Sequence, residues 1–197
     1  MPDAAGRPGN RPRRRILDAA LELALQGGYD ALQVRALSER AGVSSRTIYA
    51  NFPSLDSLLI LAVAEQSEGL YNRFTQSPPK APTAAGRVNQ LTSELTETMT
   101  ANRPLTVALL RALLSGKPDV SQYIKGFGDV LQAMLASAIA PGEPTTRDRE
   151  VAELLENIWF TALVGWATGT TGDDHIAEIM RKATRLLLPD EMESLIS

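Results

Sequence analysis

The sequence predicts an all-α protein in which a short basic head precedes a larger, acidic body. Three observations carry that prediction. Apolar residues recur at three- and four-residue steps in one segment after another, glycine and proline clusters separate those segments, and no alternating apolar–polar run or hairpin turn signal appears.

Taken in order, residues 1–10 are rich in Gly, Pro and Arg and read as a disordered basic arm. From Arg13 a helix follows with Ile16, Leu17, Ala20, Leu23 and Ala24 on one side. Gly27 and Gly28 end it, because glycine enters the left-handed conformation at low cost. A second helix runs from about Gln33 to Ala41, and the segment AGVSSRTIYANF (41–52) follows at once. Pro53 and Ser54 open a long helix that reaches about Phe74, proline suiting the entry and Ser54 the cap. The stretch SPPKAPTAAG (77–86) is the clearest linker, and five more helices are expected at roughly 84–101, 104–115, 119–140, 146–168 and 174–188. The expected organisation is an arm (1–10), a head (11–53), a connecting helix (54–76) and a body (77–197).

With 197 residues, 44% of them hydrophobic, the chain can bury a good-sized core. It has no cysteine and one histidine, which excludes disulfides, thiolate zinc sites, a Cys nucleophile and multi-histidine metal sites. The longest apolar run, Leu58 to Ala64, is too short to span a bilayer, and no signal-peptide pattern follows the N-terminal arginines. A soluble, cytoplasmic protein is expected. The net charge of −3 is unevenly distributed: residues 1–52 hold eight Arg and no Lys against five acids, the remainder twelve Lys and Arg against eighteen acids. A basic head on an acidic body suggests that the head alone meets a polyanion. No His–carboxylate–nucleophile grouping or Gly-rich phosphate loop is present, so neither enzyme activity nor a cofactor is expected. Asp173, Asp174, His175 and Glu178 can be drawn as a metal site. Acids at a helix start equally serve its dipole, and Thr171 with Asp174 matches a capping box, so no metal is expected.

In the head, Gly42 supplies the positive φ that lets one helix give way to the next within three residues. Ser44 is placed as an N-cap, with Val43 and Ile48 as a hydrophobic staple. Ile48 and Phe52 share a face toward Leu37 and Ala41, which turns Arg46 and Ala50 outward, flanked by Thr47, Tyr49 and Asn51. That outward face suits a groove of DNA. Arg46 can reach a guanine edge with two hydrogen bonds, and Ala50 leaves room beside a thymine methyl. The Thr47 and Tyr49 hydroxyls stand at phosphate height, and Ser44, Ser45 and Asn51 complete the candidate contact set. The alternative is a solvated helix face with one buried tyrosine.

The run RRRILDAALELALQGGYDALQVRALSERAGVSSRTIYANFPSLDSLL (13–59), with AGVSxxTxYxxF inside it, closely resembles the DNA-binding domain of the TetR family of bacterial transcriptional regulators. The resemblance implies a three-helix helix-turn-helix head on a helical body. It further implies that the body forms a homodimer on a palindromic operator and binds a small-molecule effector that releases the DNA. Three positions depart from the family pattern. Leu55 stands where a lysine commonly contacts phosphate, Gln33 where Ser or Thr usually caps the second helix and touches phosphate, and Ser38 where alanine is usual. The Ser38 hydroxyl is expected to bond the carbonyl four residues back. With the lysine contact absent, Arg11, Arg13, Arg14 and Arg15 are expected to carry more of the backbone affinity. Scattered stretches (QGGYDALQVRAL, ANRPL with RAL, GEPT, the IWF…GW helix and ATRLLL) are similar to the actinobacterial cholesterol-catabolism repressors. That similarity implies a large, mostly apolar effector, such as an acyl-coenzyme A or a steroid-like molecule.

Two helices of the body read as a dimerisation surface. Leu154, Leu155, Ile158, Ala162 and Gly165 lie on one, and Ile176, Ile179, Met180, Ala183 and Leu187 on the other, with Ala162 and Gly165 permitting close helix approach. The alternative is that both helices simply close the core of one subunit. The family resemblance puts an effector cavity among Met99, Leu109, Leu113, Phe127, Leu131, Met134, Trp159 and Trp166, with Asn102, Thr106, Arg111 and Asn157 as polar partners. Arg111, in an otherwise apolar helix, points to an anionic group on the ligand, although arginine also snorkels. Read from residues alone, such a set is more often a plain core. Two other classes fit parts of the sequence: a helical small-ligand carrier with an incidental basic head, and a non-specific architectural DNA binder, which the long acidic body disfavours.

Overall fold

The computed structural model describes residues 10–189, and among them every regular element is a helix. The order is α1 (Asn10–Ala31), α2 (Val34–Ala41), α3 (Ser45–Asn51), α4 (Leu55–Gln76), α5 (Ala84–Thr100), α6 (Arg103–Leu113), α7 (Ser121–Ile139), α8 (Thr146–Thr168) and α9 (His175–Leu187). The all-α expectation holds, with helix ends within a few residues of their expected places. The basic arm, apart from Asn10 at the start of α1, lies outside the described residues. Gly27 (φ −140°) and Gly28 (φ 64°) break α1 where the sequence predicts its end.

The chain packs into two compact units. One is the chain up to Glu68 together with Asn102–Ile124, and the other is Gly69–Ala101 together with the chain from Lys125. This grouping differs from a division in chain order. Helix α6, expected in the body, packs on α1, and α4 is shared between the units. The reason is local: α6 buries Ala108, Leu109, Ala112 and Leu113, and α1 covers that stripe.

In the first unit, Ile16, Leu17, Ala20 and Leu23 of α1 are buried with Leu37, Ala41, Ile48 and Phe52 of the following segments. Gly28 is needed there for its positive φ, and a Cβ at this position would sit in van der Waals contact with Pro104 at the first turn of α6. Asn102 caps α6, its Oδ1 accepting from the Leu105 amide at 2.9 Å. Helix α4 starts with reciprocal capping: the Ser54 amide donates to Ser57 Oγ (3.2 Å) and the Ser57 amide to Ser54 Oγ (3.1 Å).

A polar cluster joins α1, α4 and α6. The Asp56 carboxylate is 1% exposed, accepts from the Tyr29 hydroxyl and pairs with Lys117. Arg111 pairs with Asp30 at 2.9 Å and lies 4.1 Å over the Tyr29 ring. Ser54 donates to Asp119 at 2.6 Å, which holds the Asp119 carboxyl below the usual carboxylate range. Burial first, then the bond to Asp56, pushes the Tyr29 hydroxyl up to about 12.

The second unit is built from α5, most of α7, α8 and α9, with α9 packed against both α5 and α8. Its two tryptophans are core residues with satisfied indole N–H groups: Trp159 donates to Thr96 Oγ1 (3.0 Å) and Trp166 to Asp173 Oδ1 (2.8 Å). Helix α8 opens with a capping box of Thr145 and Asp148. The capping box expected of Thr171 and Asp174 does not form, because Asp174 makes no side-chain cap bond and the Thr171 hydroxyl is buried without a partner, facing Gly165. No single described helix is long and apolar enough to cross a membrane.

The cluster predicts two measurable effects. Asp56→Ala leaves the Tyr29 hydroxyl and Lys117 without their partner and should cost ~3 kcal/mol in urea denaturation. Tyr29 holds its proton more tightly folded (about 12) than at its ordinary 10.0, so its contribution is present below pH 10 and is lost as pH rises toward 12. Tyr29→Phe should therefore remove part of the fall in stability over that alkaline window, while leaving the slope at neutral pH unchanged.

Candidate nucleic-acid interface and effector cavity

The turn before α3 is set by Gly42 at φ 60°, whose amide closes α2 on the Ser38 carbonyl. Ser44 then caps α3, its Oγ accepting from the Thr47 amide at 3.2 Å. Ile48 and Phe52, each 1% exposed, anchor the back of α3 in the core of the unit. Arg46, Tyr49, Ala50 and Asn51 are exposed on its other side, Tyr49 to 57%. Seven residues thus present one polar face on a rigid support.

Within that face the groups differ in freedom. Thr47 Oγ1 lies 2.9 Å from Ser44 Oγ, and Asn51 Nδ2 donates to the Thr47 carbonyl at 2.7 Å. The Ser38 hydroxyl does not bond back along its own helix as expected. It reaches Ser45 Oγ at 3.2 Å, bracing α2 against α3 across the turn. Gln33 occupies the α2 N-cap position but makes no cap bond, donating instead to the Asp30 carbonyl at 3.3 Å.

The arginines divide in the same way. Arg13 pairs with Glu65 of α4 at 2.6 Å and lies 5.5 Å over the Phe52 ring, so it ties α1 to the end of α3 and to α4. Arg15 donates to the Gly42 carbonyl at 3.2 Å and fills the space a Cβ at Gly42 would need, 2.4 Å from its own Nη2. Arg14 pairs with Asp18, Arg35 with Glu39 and Arg40 with Glu22. Among the described residues, Arg11 and Arg46 are the head arginines that stand exposed outside this set of bonds. Sequence reasoning had no signal for the Arg13–Glu65 pair, which spans 52 positions.

The residues expected to line one effector cavity are divided between the two units. Asn102, Thr106, Leu109, Arg111 and Leu113 belong to the first unit, where Asn102 caps α6 and Arg111 is bound to Asp30 and Tyr29. Met99, Phe127, Leu131, Met134, Trp159 and Trp166 belong to the second. That unit does contain a cavity of about 330 Å³, and of the expected residues only Met134 lines it. Its other walls come from Phe74, the Pro78–Pro79 linker, Arg87, Leu91 and the end of α7 with Pro141.

The expected dimer surface also splits. Leu155, Ala162, Ile176, Met180 and Ala183 are buried within the subunit, because α9 and α5 cover that side of α8 and α9. Gly165 makes its close approach to Thr171, whose Oγ1 would lie 3.1 Å from a Cβ there, rather than to another helix. Leu154 is 51% exposed, while Ile158, Gly165, Ile179 and Leu187 are half-buried.

Comparison with known proteins agrees with this geometry. Residues 16–62 match the family model of bacterial regulatory proteins of the tetR family, and residues 82–187 match that of the tetracyclin repressor-like C-terminal domain. The HTH-type transcriptional repressor KstR of Rhodococcus jostii is 34% identical over 178 residues, 90% of this chain and 83% of that protein. A TetR transcriptional regulator from Rhodococcus sp. RHA1 shares the fold with a TM-score of 0.78 at 23% identity, over 92% of this chain and 98% of that one. FadR from Bacillus subtilis, solved in complex with stearoyl-CoA, aligns with a TM-score of 0.63 at 20% identity, over 89% of this chain and 97% of that one.

Two arginines should separate experimentally. Arg11→Ala should lower the slope of log affinity for duplex DNA against log salt by about one, with the folded state unaffected. Arg13→Ala should instead lower the denaturation midpoint by breaking the pair with Glu65, and Glu65→Ala should cost no more when added to it. Equal salt slopes for the wild type and the Arg11 variant would remove Arg11 from the interface.

Proposed function

The chain belongs to the TetR family of bacterial transcriptional regulators, and from that premise we propose that it is a repressor that binds a palindromic operator as a homodimer and leaves it on binding an apolar effector. Family members are regulators rather than enzymes, and a relative matching 90% of this chain is named as a repressor. The observation that carries the operator reading is the α3 face: Arg46, Tyr49 and Ala50 stand exposed on a helix whose opposite side is locked by Ile48 and Phe52. Arg46 reads a base edge, Tyr49 and Ser45 set register on phosphate, and Ser44, Thr47 and Asn51 hold α3 in shape.

One seven-residue helix reads too few base pairs to find a site in a genome, so two copies are needed. The surface left for pairing on α8 and α9 is Leu154, Ile158 and Thr161 with Ile179 and Leu186. These residues recur at helical spacing and remain exposed or half-buried after each helix has packed within its own subunit. The effector reading rests on the cavity in the second unit and on the acyl-coenzyme A held by FadR of Bacillus subtilis. It names an acyl-coenzyme A or a steroid-like molecule as effector.

Arg46→Ala should cost ~1–3 kcal/mol on the preferred operator and relax the preference at one position in each half-site. A uniform loss over all sequences would make Arg46 a phosphate contact. Coupling should be reciprocal: stearoyl-coenzyme A should weaken operator binding, and operator should weaken stearoyl-coenzyme A binding by the same factor. Fluorescence anisotropy of a labelled operator and calorimetry of the ligand, each with and without the other, measure both sides. Gly69→Ala in α4, where a Cβ meets nothing within 4 Å, should change this factor by stiffening the helix. It should leave each separate affinity nearly as it was. Unchanged ligand affinity in the presence of operator overturns the effector reading.

A further inference from the structure

The cavity of the second unit has one charged residue among the described residues of its wall, and that residue is Arg87. The rest of the wall is apolar or carries a hydroxyl, and no carboxylate faces the guanidinium there. Nor does Arg87 take part in an ion pair elsewhere among the described residues. Its partners are four backbone carbonyls: Nε donates to Ala138 (2.7 Å), Nη2 to Ile139 (2.8 Å), and Nη1 to Ala81 (3.3 Å) and Pro82 (3.2 Å). A guanidinium has five N–H donors, so one on Nη2 is left over, and among the described residues the half-buried charge has no counter-ion beside an apolar space. Carbonyl dipoles at the end of α7 hold the cation in place. They do not neutralise it.

From this arrangement we infer that the cavity is a binding site for an apolar molecule ending in an oxyanion, with Arg87 as its charge partner. The apolar body lies against Phe74, Leu91, Met134 and Pro141, and the oxyanion meets the remaining Nη2–H. The inference rests on the effector reading above and narrows it: the recognised end is a carboxylate or phosphate, and an uncharged molecule of the same length is rejected. A site built around a charged donor discriminates against a ligand that cannot pair with it, because such a ligand displaces water from the guanidinium without replacing its hydrogen bond. The same guanidinium also holds the Ala81–Pro82 linker and the α7 end, and Phe74 and Thr75 of the last turn of α4 share the cavity. An oxyanion there competes for the group that fastens both segments.

The test compares decanoate with decanol, which have the same chain, by calorimetric titration of the wild-type protein below micelle-forming concentrations. Decanoate should bind at least tenfold more tightly, and equal affinities overturn the inference. Arg87→Gln should bring the two within about twofold, whereas Arg87→Lys should keep the preference for the anion. Circular dichroism melting checks that both variants fold, and the wild-type comparison decides the matter if they do not. Ser137→Trp, at an exposed position in the wall, should fill the space and weaken decanoate at least tenfold; unchanged binding would move the site elsewhere. Decanoate that binds as expected without releasing operator contradicts the effector reading alone. Decanoate that fails to bind contradicts this site, whatever stearoyl-coenzyme A does to operator.

Discussion

A carboxylate buried to 1% exposure cannot stand alone, and Asp56 is that carboxylate in the DNA-reading unit. It needs a donor and a counter-charge, and the chain supplies them from two distant places: the Tyr29 hydroxyl at the broken end of α1, and Lys117 beyond α6. Asp56 sits in the first turn of α4, where negative charge also suits the helix dipole. Satisfying it fixes the start of α4 against both α1 and α6. The last anchor of α3, Phe52, precedes that start by three residues, with Pro53 between. The orientation of α3 in its unit is therefore set from behind, by a buried ion on the first turn of α4.

The basic charge of the head is real, but most of it is taken up by partners within the chain. Arg13 stacks on Phe52 and pairs with Glu65, Arg15 closes the turn at Gly42, and three further arginines are paired with acids. Counting charge along the sequence could not separate these roles, because a paired and an unpaired arginine are the same letter. Arg111 makes the point from the other side. An arginine in an apolar helix correctly signalled an anion, yet the anion is Asp30 of the same chain, with the Tyr29 ring beneath the guanidinium.

What was legible in the sequence was local. Helix periodicity, the break at Gly27 and Gly28, the positive φ of Gly42 and the Ser44 cap all depend on residues within one or two turns, and each is where the pattern puts it. The outward face of α3 followed from the same 3.6-residue arithmetic. Grouping was not legible. Nothing in RPLTVALLRAL says that its apolar stripe meets α1 rather than α5 or α7, so α6 and its residues were assigned to the wrong neighbours. The stripes of α8 and α9 divided for a related reason: an apolar helix face is the same whether its cover comes from its own subunit or from another. The cavity had one faint signal, the proline-rich linker at Pro78–Pro79, since prolines hold a chain open and carry no backbone N–H that needs an acceptor.

On the proposed effector reading, helix α4 is the element through which a ligand would act on the head. Its residues up to Glu68 belong to the unit that holds α3, and those from Gly69 belong to the unit that holds the cavity. The first part is constrained by Asp56 and by Glu65 with Arg13, and the last turn supplies Phe74 and Thr75 to the cavity wall. A ligand can shift the reading unit only through a difference in its affinity for two arrangements of such an element. A helix clamped by buried charge at one end and lining a cavity at the other is suited to hold two arrangements, because packed contacts exchange in steps rather than bending continuously. Glycine at the boundary, with no neighbour within 4 Å of where a side chain would begin, is the weakest point of that helix, and it lies between the two constraints.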